Sequence, residues 1–241
     1  MNQVIYLNMI EQEKSHWWYK GRREIIGQVI KPYLQPAMKI LDAGCGAGGN
    51  MEYMLKYGSV VGVDIAPEMV KHCRKKGLSA YCESITALPF ADHVFDLVIC
   101  LDVLEHLADE RAALAELTRV VRPGGVVVVS VPAFNWLWGE HDILNNHYRR
   151  YNYGQLNRLV KEFPLSIERT TYFNFFLLPI VWAVRQFKNS LPGFLNKRTD
   201  LYLGSGRLNR LFYQVLKIEQ LILVFCNLPV GVSQVLVARK K

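Results

Sequence analysis

The sequence has few cysteines and no long apolar segment. Its five cysteines are scattered, odd in number and without a Cys-x-x-Cys pair, which argues against a disulfide framework and a cysteine zinc site. The N-terminus lacks the basic start, apolar run and small-residue cleavage site of a secretory signal. We therefore expect a cytoplasmic protein that holds no metal ion.

The composition is that of a globular protein. Hydrophobic residues make up 51% of the 241 residues and charged residues 21%, which excludes a disordered chain, a collagen and a coiled coil. This length accommodates one α/β domain with additions, or two small domains.

The net charge of +8 is confined to the C-terminal part of the chain. After residue 171 there are ten lysines and arginines against two acidic residues, whereas residues 1–171 carry nineteen of each sign. A segment that is both basic and apolar favours a local contact with an anionic group, such as lipid headgroups or a phosphorylated ligand. It argues against a nucleic-acid-binding surface, so we expect no nucleic acid partner. Solvated surface lysines are the alternative interpretation.

Short apolar runs and amphipathic segments alternate along residues 38–171, which is typical of a parallel sheet covered on both faces. The runs predict strands at 39–43, 60–64, 78–82, 95–101 and 126–131. Helices are expected between them, at 50–57, 67–76 and 110–121. A further helix over residues 10–30 is expected to lie across the top of the sheet.

A glycine-rich turn follows the first predicted strand, in Asp42-Ala43-Gly44-Cys45-Gly46-Ala47-Gly48-Gly49. Glycines allow backbone N–H groups to approach a ligand closely. The pattern G-x-G-x-x-G also occurs in NAD-binding enzymes, so NAD is an alternative cofactor. The Asp42 carboxylate would repel a pyrophosphate and attract the ammonium of S-adenosylmethionine. This sequence therefore favours S-adenosylmethionine as the cofactor.

A second carboxylate, Asp64, ends the second predicted strand. Its two oxygens can accept hydrogen bonds from both hydroxyls of an adenosine ribose. An NAD enzyme uses the same device, so Asp64 indicates adenosine rather than one cofactor. A cap for the helix that begins near Pro67 is the alternative interpretation.

These motifs together resemble the class I S-adenosylmethionine-dependent methyltransferases over residues 38–131. Asp42 to Gly48 resemble the family's D-x-G-x-G-x-G. Four further segments also resemble segments of this family: Ala87-Leu88-Pro89-Phe90, Phe95-Asp96-Leu97-Val98, Leu104-Glu105-His106-Leu107 and residues 117–125.

The resemblance implies an α/β fold with a Rossmann-like, seven-stranded, mostly parallel sheet and helices on both faces. It divides the chain into an N-terminal helical lid (1–37), a cofactor-binding core (38–171), a helical insertion (172–231) and a final strand (232–241). The last two strands are expected at 165–171 and 233–238, the final one antiparallel.

The resemblance also implies the contacts at the nucleoside end of the cofactor. Asp64 would bind the ribose, and Ile65 would lie against the adenine face. Ser84, where the family often has an aspartate, and the backbone of Ile85 would contact the adenine edge.

At the amino-acid end of the cofactor, the resemblance implies contacts with Asp42 and with the turn at Gly44 and Gly46. The carbonyl of Leu101 would hold the methionine ammonium. Arg22, in an N-terminal segment that resembles lid elements of bacterial methyltransferases, would pair with the cofactor carboxylate.

The acceptor is expected beyond the fourth and fifth strands, where residues 132–151 form a polar and aromatic stretch. If the acceptor is a hydroxyl, a base must remove its proton. His147 and His141 are the candidate bases, and Asp142 is a candidate to orient one of them. The candidate substrate-binding residues are Trp136, Trp138, Arg149 and Arg150. A structured loop, with its arginines tied to the sheet, is the alternative.

The insertion begins with an apolar run at 172–184 that is shorter than the ~20 residues of a spanning helix and contains Pro179. It is interpreted as a peripheral contact with an anionic membrane, as a cap over a greasy substrate, or as a helical cap packed on the sheet or on a second subunit of a homodimer.

We expect methyl transfer from S-adenosylmethionine to oxygen or nitrogen of a small-molecule or lipid-linked acceptor. The rival functions are an NAD-dependent oxidoreductase and a non-catalytic cofactor-binding scaffold that docks on membranes.

Overall fold

A seven-stranded sheet organises residues 10–13, 15–190 and 206–241, which the computed structural model describes. The strand order is β3-β2-β1-β4-β5-β7-β6, and β7 is antiparallel to both of its neighbours. The predicted fold class is therefore confirmed, including the antiparallel last strand. The strands are β1 (Met38–Ala43), β2 (Gly58–Asp64), β3 (Ser79–Cys82), β4 (Phe95–Leu101), β5 (Val121–Pro132), β6 (Leu165–Phe173) and β7 (Ser233–Lys240).

Both faces of the sheet are buried, as the continuous apolar runs of the central strands predict. In β5, Val126 and Val128 belong to one apolar cluster, and Val127 and Val129 belong to the other. Successive side chains of a strand point to opposite faces, so one apolar run supplies both cores.

The described helices surround this sheet. Those between β1 and β5 begin and end within one to three residues of the predicted bounds. The helices are α1 (Trp17–Ile30), α2 (Gly49–Met54), α3 (Pro67–Lys75), α4 (Glu110–Val120), α5 (Glu140–Leu144), α6 (Tyr153–Lys161), α7 (Leu178–Ser190) and α8 (Arg207–Phe225). Short 3-10 turns occur at Lys31–Tyr33, Leu55–Tyr57, Leu104–His106 and Asn135–Leu137.

The N-terminal helix differs from the expectation of one helix over residues 10–30. A short helical segment at 10–12 ends before α1, whose N-terminus is capped by His16, the side chain of which accepts from the N–H of Trp18. The apolar face of α1, including Ile25 and Val29, packs in the cluster on one face of the sheet and not across its top. Arg22 extends from this helix to the carboxyl edge of the sheet, where it pairs with Asp102.

The second helix of the insertion, α8, packs against α1. Tyr213 donates from its hydroxyl to Glu24 at 2.9 Å, and the N–H of Trp17 donates to Asn209 Oδ1 at 2.7 Å. Glu219, fully buried on α8, accepts from the N–H of Asn174 just after β6. One face of α8 is therefore packed on the body of the protein.

Among the described residues, no helix is both long and apolar enough to cross a lipid bilayer.

Candidate active site

The glycine-rich turn joins β1 to α2 at the carboxyl edge of the sheet. Gly44, Gly46 and Gly48 have φ angles of 87°, 51° and 85°, in the left-handed region that favours glycine. The N–H of Gly44 donates to the carbonyl of Val63 at 2.7 Å, which ties the turn to β2. A Cβ on Gly44 would lie 2.3 Å from a methyl carbon of Val103. The turn is thus a bare stretch of backbone held against the end of β2.

Asp64, at the end of β2, faces this turn. Its Oδ2 accepts from the N–H of Gly46 at 2.8 Å, and its Oδ1 accepts from the N–H of Ala66 at 2.9 Å. Burial raises the pKa of Asp64, and these backbone bonds oppose the rise. Each carboxylate oxygen still has acceptor capacity for a ribose hydroxyl. The helix that begins at Pro67 has Ala66 at its N-cap position and no side-chain cap, so Asp64 does not form the helix cap of the alternative interpretation.

The side chains expected around adenine lie close to Asp64 in the chain and in space. Ile65 is 74% exposed, so its side chain is accessible to an adenine ring. The N–H of Glu83 donates to the carbonyl of Asp64 at 3.2 Å, which brings the segment after β3 to the same edge. There the hydroxyl of Ser84 lies 2.7 Å from that of Thr86, and Ile85 is buried.

Asp42 is the clearest sign of a bound cation at the amino-acid end. Its side chain is fully buried, and among the described residues neither carboxylate oxygen has a hydrogen-bond partner. Burial raises the pKa of Asp42 to about 8, although the charge of Arg22 opposes this. Ionised Asp42 therefore requires a cationic donor, which the described residues do not supply. The ammonium of S-adenosylmethionine fits this requirement.

Asp102, which the sequence analysis did not single out, pairs with Arg22 of α1. It follows Leu101 directly, at the end of β4, and has a φ of 57°. Its carboxylate accepts from Arg22 and from the hydroxyl of Ser130, the latter at 2.8 Å. The Nε of Arg22 is buried and has no partner among the residues that the structure describes. Arg22 therefore lies at the carboxyl edge of the sheet with its Nε–H donor available to a ligand.

Glu13 is a second residue that the sequence did not reveal. Its Oε1 accepts from the N–H of Gly49 at 2.8 Å, and its backbone carbonyl accepts from Arg23 at 3.1 Å. Burial raises the pKa of Glu13, and the bond from Gly49 opposes the rise. Glu13 thus lies against the last glycine of the turn. The local sequence carries no signal for this contact, because the partners come from different parts of the chain.

The acceptor side of the edge is organised around Asp142. Its Oδ1 lies 2.8 Å from His147 Nδ1 and accepts from Arg150 Nε at 2.8 Å, and its Oδ2 accepts from the N–H of Gly139 at 2.9 Å. Burial alone would raise the pKa of Asp142, but the bond from His147 and the charge of Arg150 hold it well below the usual range. Asp142 is therefore an ionised carboxylate that fixes the ring of His147.

Two neighbours of His147 come from the segment after β4. The rings of His106 and His147 are 4.6 Å apart, and His106 Nδ1 lies 2.9 Å from the carbonyl oxygen of Asn145. Burial, with His147 nearby, lowers the pKa of His106 to about 4. Glu105 is buried beside them, and its Oε2 has no partner within the described part of the chain. The sequence analysis gave neither residue a site role.

His141 and the two arginines occupy different surroundings. The ring of His141 is 5.8 Å from that of His147. Arg150 is buried and also donates to the carbonyl of Ala133 at 3.0 Å. Arg149 pairs with Glu110 on α4 at 2.8 Å. His147 and Arg150 therefore contact Asp142, and His141 lies near His147. Arg149 lies against α4 instead.

The tryptophans of this loop lie towards the insertion. Trp136 is half exposed and stacks on Phe134 with ring centroids 5.3 Å apart, and Trp138 is partly buried. With residues of α7, Trp136 lines a shallow apolar depression of about 250 Å³. Its lining is Trp136, Leu178, Pro179 and Trp182.

Comparisons with known proteins agree with this geometry. Residues 41–129 match the family model described as a methyltransferase domain. The ubiquinone biosynthesis O-methyltransferase of Methylococcus capsulatus is 36% identical over 146 residues, which cover 52% of this chain and 62% of that protein. The 2-methyl-6-phytyl-1,4-hydroquinone methyltransferase of Synechocystis is 36% identical over 104 residues, covering 40% and 33%. The chain thus spans less than two thirds of these curated relatives.

A solved structure of a geranyl diphosphate methyltransferase, in complex with GPP and sinefungin, has the same fold. Its TM-score is 0.62 at 16% identity, and the match covers 92% of this chain and 79% of that one. The fold and the family match together indicate an α/β protein whose cofactor is S-adenosylmethionine. Residues 41–129 thus form a methyltransferase domain, and the curated relatives named above are methyltransferases over this part of the chain. The NAD alternative is thereby set aside.

Proposed function

We propose that this chain transfers the methyl group of S-adenosylmethionine to oxygen or nitrogen of a small acceptor that carries an apolar portion. The observation that supports this most directly is the connection made by Arg185. This α7 residue lies 3.6 Å from Asp142, the partner of His147, and donates to the carbonyl of Leu137. The helix that lines the apolar depression is thereby tied to the carboxylate that orients the candidate base.

Different residues along the carboxyl edge of the sheet would bind different parts of the cofactor. S-adenosylmethionine, when bound, supplies an electrophilic methyl group. Asp42 and Arg22 would hold its ammonium and carboxylate, and Asp64 its ribose. Asp42 and Asp142 are buried, so water has little access to their carboxylates. In such a site the alignment of the reactants supplies most of the rate enhancement.

His147 is our candidate for removing a proton from a hydroxyl acceptor. The ionised Asp142 only accepts hydrogen bonds, so Nδ1 of His147 carries the proton and Nε2 keeps a lone pair. His141, whose ring lies 5.8 Å from that of His147, is the second candidate base. An amine acceptor needs positioning more than a base.

The apolar portion of the acceptor would lie in the depression beside Trp136 and Trp182. The names of two curated relatives refer to ubiquinone and to a phytyl hydroquinone, which supports a lipid-linked acceptor for this chain as well. The depression is shallow, and it therefore suits one end of a long apolar group.

We also propose a peripheral contact between α8 and an anionic lipid surface. The side of α8 that faces away from α1 carries exposed apolar residues, among them Phe225 at 88% exposure. Leu211, Ile218 and Leu221 are exposed along the same side of α8 as Phe225. Arg207 and Arg210 are exposed at its N-terminal end, and the single acidic residue of α8, Glu219, is buried. Apolar insertion combined with basic residues suits an interfacial helix.

The activity test follows labelled methyl from S-adenosylmethionine into an extract of the source cells, followed by partition between organic and aqueous phases. Label in the organic phase is the expected result. His147→Ala should lower the incorporation by about 100-fold or more, as the loss of a general base does. Exposed Leu55→Ala, in the turn after α2, is the control that retains activity. Binding of S-adenosylhomocysteine without any transfer would leave only the scaffold function.

The membrane contact is tested by sedimentation with vesicles. The wild type should sediment with phosphatidylserine vesicles and be released by high salt, since exposed charges are screened. Leu221→Glu should abolish this, whereas Leu55→Glu, which alters another exposed leucine away from α8, should not. Equal recovery with neutral vesicles would contradict the electrostatic part. A dimer that Leu221→Glu dissociates would show instead that a second copy covers this face.

A further inference from the structure

Three side chains with metal-binding atoms converge where β4 and β5 end. Glu105 and His106 lie in the 3-10 turn after β4, and His147 follows α5, after β5. One oxygen or nitrogen from each side chain lies within 4.8 Å of the others. Because β4 and β5 are adjacent and parallel, the segments that follow them meet at one edge of the sheet.

Glu105 provides the independent sign that a ligand belongs here. Its side chain is 1% exposed, and Oε2 has no hydrogen-bond partner. A buried acceptor without a partner costs about 1 to 3 kcal/mol. No donor of the described chain meets this oxygen, although it lies among groups that are otherwise hydrogen-bonded. A cation would satisfy it.

Both histidines are held in the tautomer that binds metals. His106 Nδ1 lies 2.9 Å from the carbonyl oxygen of Asn145, and His147 Nδ1 lies 2.8 Å from Asp142 Oδ1. A carbonyl and an ionised carboxylate only accept, so each Nδ1 carries the proton and each Nε2 keeps its lone pair. Metal-ligating histidines almost always donate their other N–H to such an oxygen.

From this geometry we propose that Glu105, His106 and His147 bind a divalent transition-metal cation. Two imidazole nitrogens and one carboxylate oxygen suit Zn²⁺ and related first-row ions, and they leave coordination positions open. Ligand atoms at about 2.0 to 2.1 Å from one zinc ion are about 3.4 Å from each other. Side-chain movements of about 1 Å therefore close this cluster around an ion.

The cation lies where the acceptor is expected. A hydroxyl that it coordinates loses its proton at a lower pH. In the metal-bound protein His147 is then a ligand, and in the metal-free protein it is the base, so His147 is required in both. This role in turnover rests on the proposed methyl transfer, whereas cation binding by itself does not.

Binding is measured by titrating Co²⁺ into protein that has been dialysed against a chelator. Visible absorption of Co²⁺ intensifies when the ion moves from octahedral water into a protein site of lower symmetry. We expect one equivalent to bind, Zn²⁺ to displace it, and the melting temperature to rise with Zn²⁺ concentration. None of these measurements requires methyl transfer.

The variants separate this cluster from adventitious histidine binding. Glu105→Gln and His147→Ala should each weaken Co²⁺ binding by more than about 100-fold, because loss of an outer partner alone costs about 10- to 100-fold. Asp142→Asn, which alters such an outer partner, should fall within that smaller range. His141→Ala and His72→Ala, on α3, should retain wild-type affinity. Circular dichroism and S-adenosylhomocysteine binding identify any variant that misfolds.

The proposal is overturned if the wild-type protein binds no Co²⁺, or if Glu105→Gln and His147→Ala bind it as the wild type does. If His141→Ala weakened Co²⁺ binding as much as Glu105→Gln, His141 would be a ligand. The site would then not be the one formed by Glu105, His106 and His147. Cation binding without methyl transfer would overturn the proposed function and leave the cation site intact. Methyl transfer that is unaffected by a chelator, in a protein that binds no Co²⁺, would do the reverse.

Discussion

The buried carboxylate of Asp42 makes cofactor binding depend on pH in a way that can be calculated. Its pKa of about 8 means that about 0.9 of the Asp42 side chains are protonated at pH 7 without cofactor. An ammonium pairs with the ionised form. Ionising Asp42 at pH 7 then costs about 1.4 kcal/mol, and this cost falls to near zero above pH 8. Binding at pH 7 should therefore release close to one proton.

Asp42→Asn is the perturbation that isolates this term, because it keeps the size of the side chain and removes the charge. A hydrogen bond to a charged group contributes about 1.5 to 3 kcal/mol, of which the ionisation cost removes about 1.4 kcal/mol at pH 7. The variant should thus bind S-adenosylhomocysteine only slightly more weakly than the wild type at pH 7. The affinity ratio should grow towards about 10- to 100-fold at pH 8 and above.

Titration calorimetry in buffers of different ionisation enthalpy measures both the affinity and the released protons. An affinity ratio that stays constant between pH 6 and pH 8, or equal proton release by the wild type and Asp42→Asn, would refute the assignment of Asp42 to the ammonium. Thermal unfolding provides a control. The folded pKa of Asp42 lies above the unfolded value of about 3.9, so its contribution to the free energy of unfolding is lost as the pH rises from about 4 to about 8. That slope should be smaller in Asp42→Asn.

Three further substitutions test separate parts of the edge. Asp64→Ala should weaken S-adenosylhomocysteine binding by about 1 to 3 kcal/mol, and unchanged affinity in calorimetry would reject the ribose contact. Gly44→Ala should abolish cofactor binding, because the new methyl meets Val103, whereas Gly77→Ala, at a similar φ of 78° with nothing within 4 Å, should show only the backbone strain in its melting temperature. Arg150→Met leaves Asp142 with one charged partner fewer and should destabilise the fold by about 3 to 5 kcal/mol in urea unfolding, and a loss below 1 kcal/mol would contradict a structural role for this pair.

The strands were predictable because strands buried on both faces require continuous apolar sequence. The pattern located β5 from Val126 onwards but missed its first residues. There the strand begins at Val121, which pairs with Phe95, while residues 122–124, Arg-Pro-Gly, are exposed. No apolar run can mark such a segment. The break before α1 was missed for a related reason, since His16 caps the helix from an otherwise unremarkable stretch.

The cofactor residues were accessible from sequence only where one short segment carries the whole signal. Asp42 and the glycines lie within a single turn, so their spacing alone indicates the chemistry. Glu13 acts on Gly49, and Arg22 acts on Asp102, across a large distance in the chain. A sequence pattern contains one partner of each pair and not the contact. These contacts follow from the packing of α1 on the sheet, which no motif encodes.

The cluster of Glu105, His106 and His147 shows what topology adds to such patterns. Metal motifs are recognised by close spacing on one helix or loop, and these donors come from two separate loops. The strands predicted at 95–101 and 126–131 already place the segments that follow them at one edge, because the carboxyl ends of adjacent parallel strands meet there. Sequence can therefore nominate every polar side chain of these two segments for the same site. It cannot choose among them, because the choice depends on Asp142, whose buried charge fixes Nδ1 of His147 and pairs with Arg150.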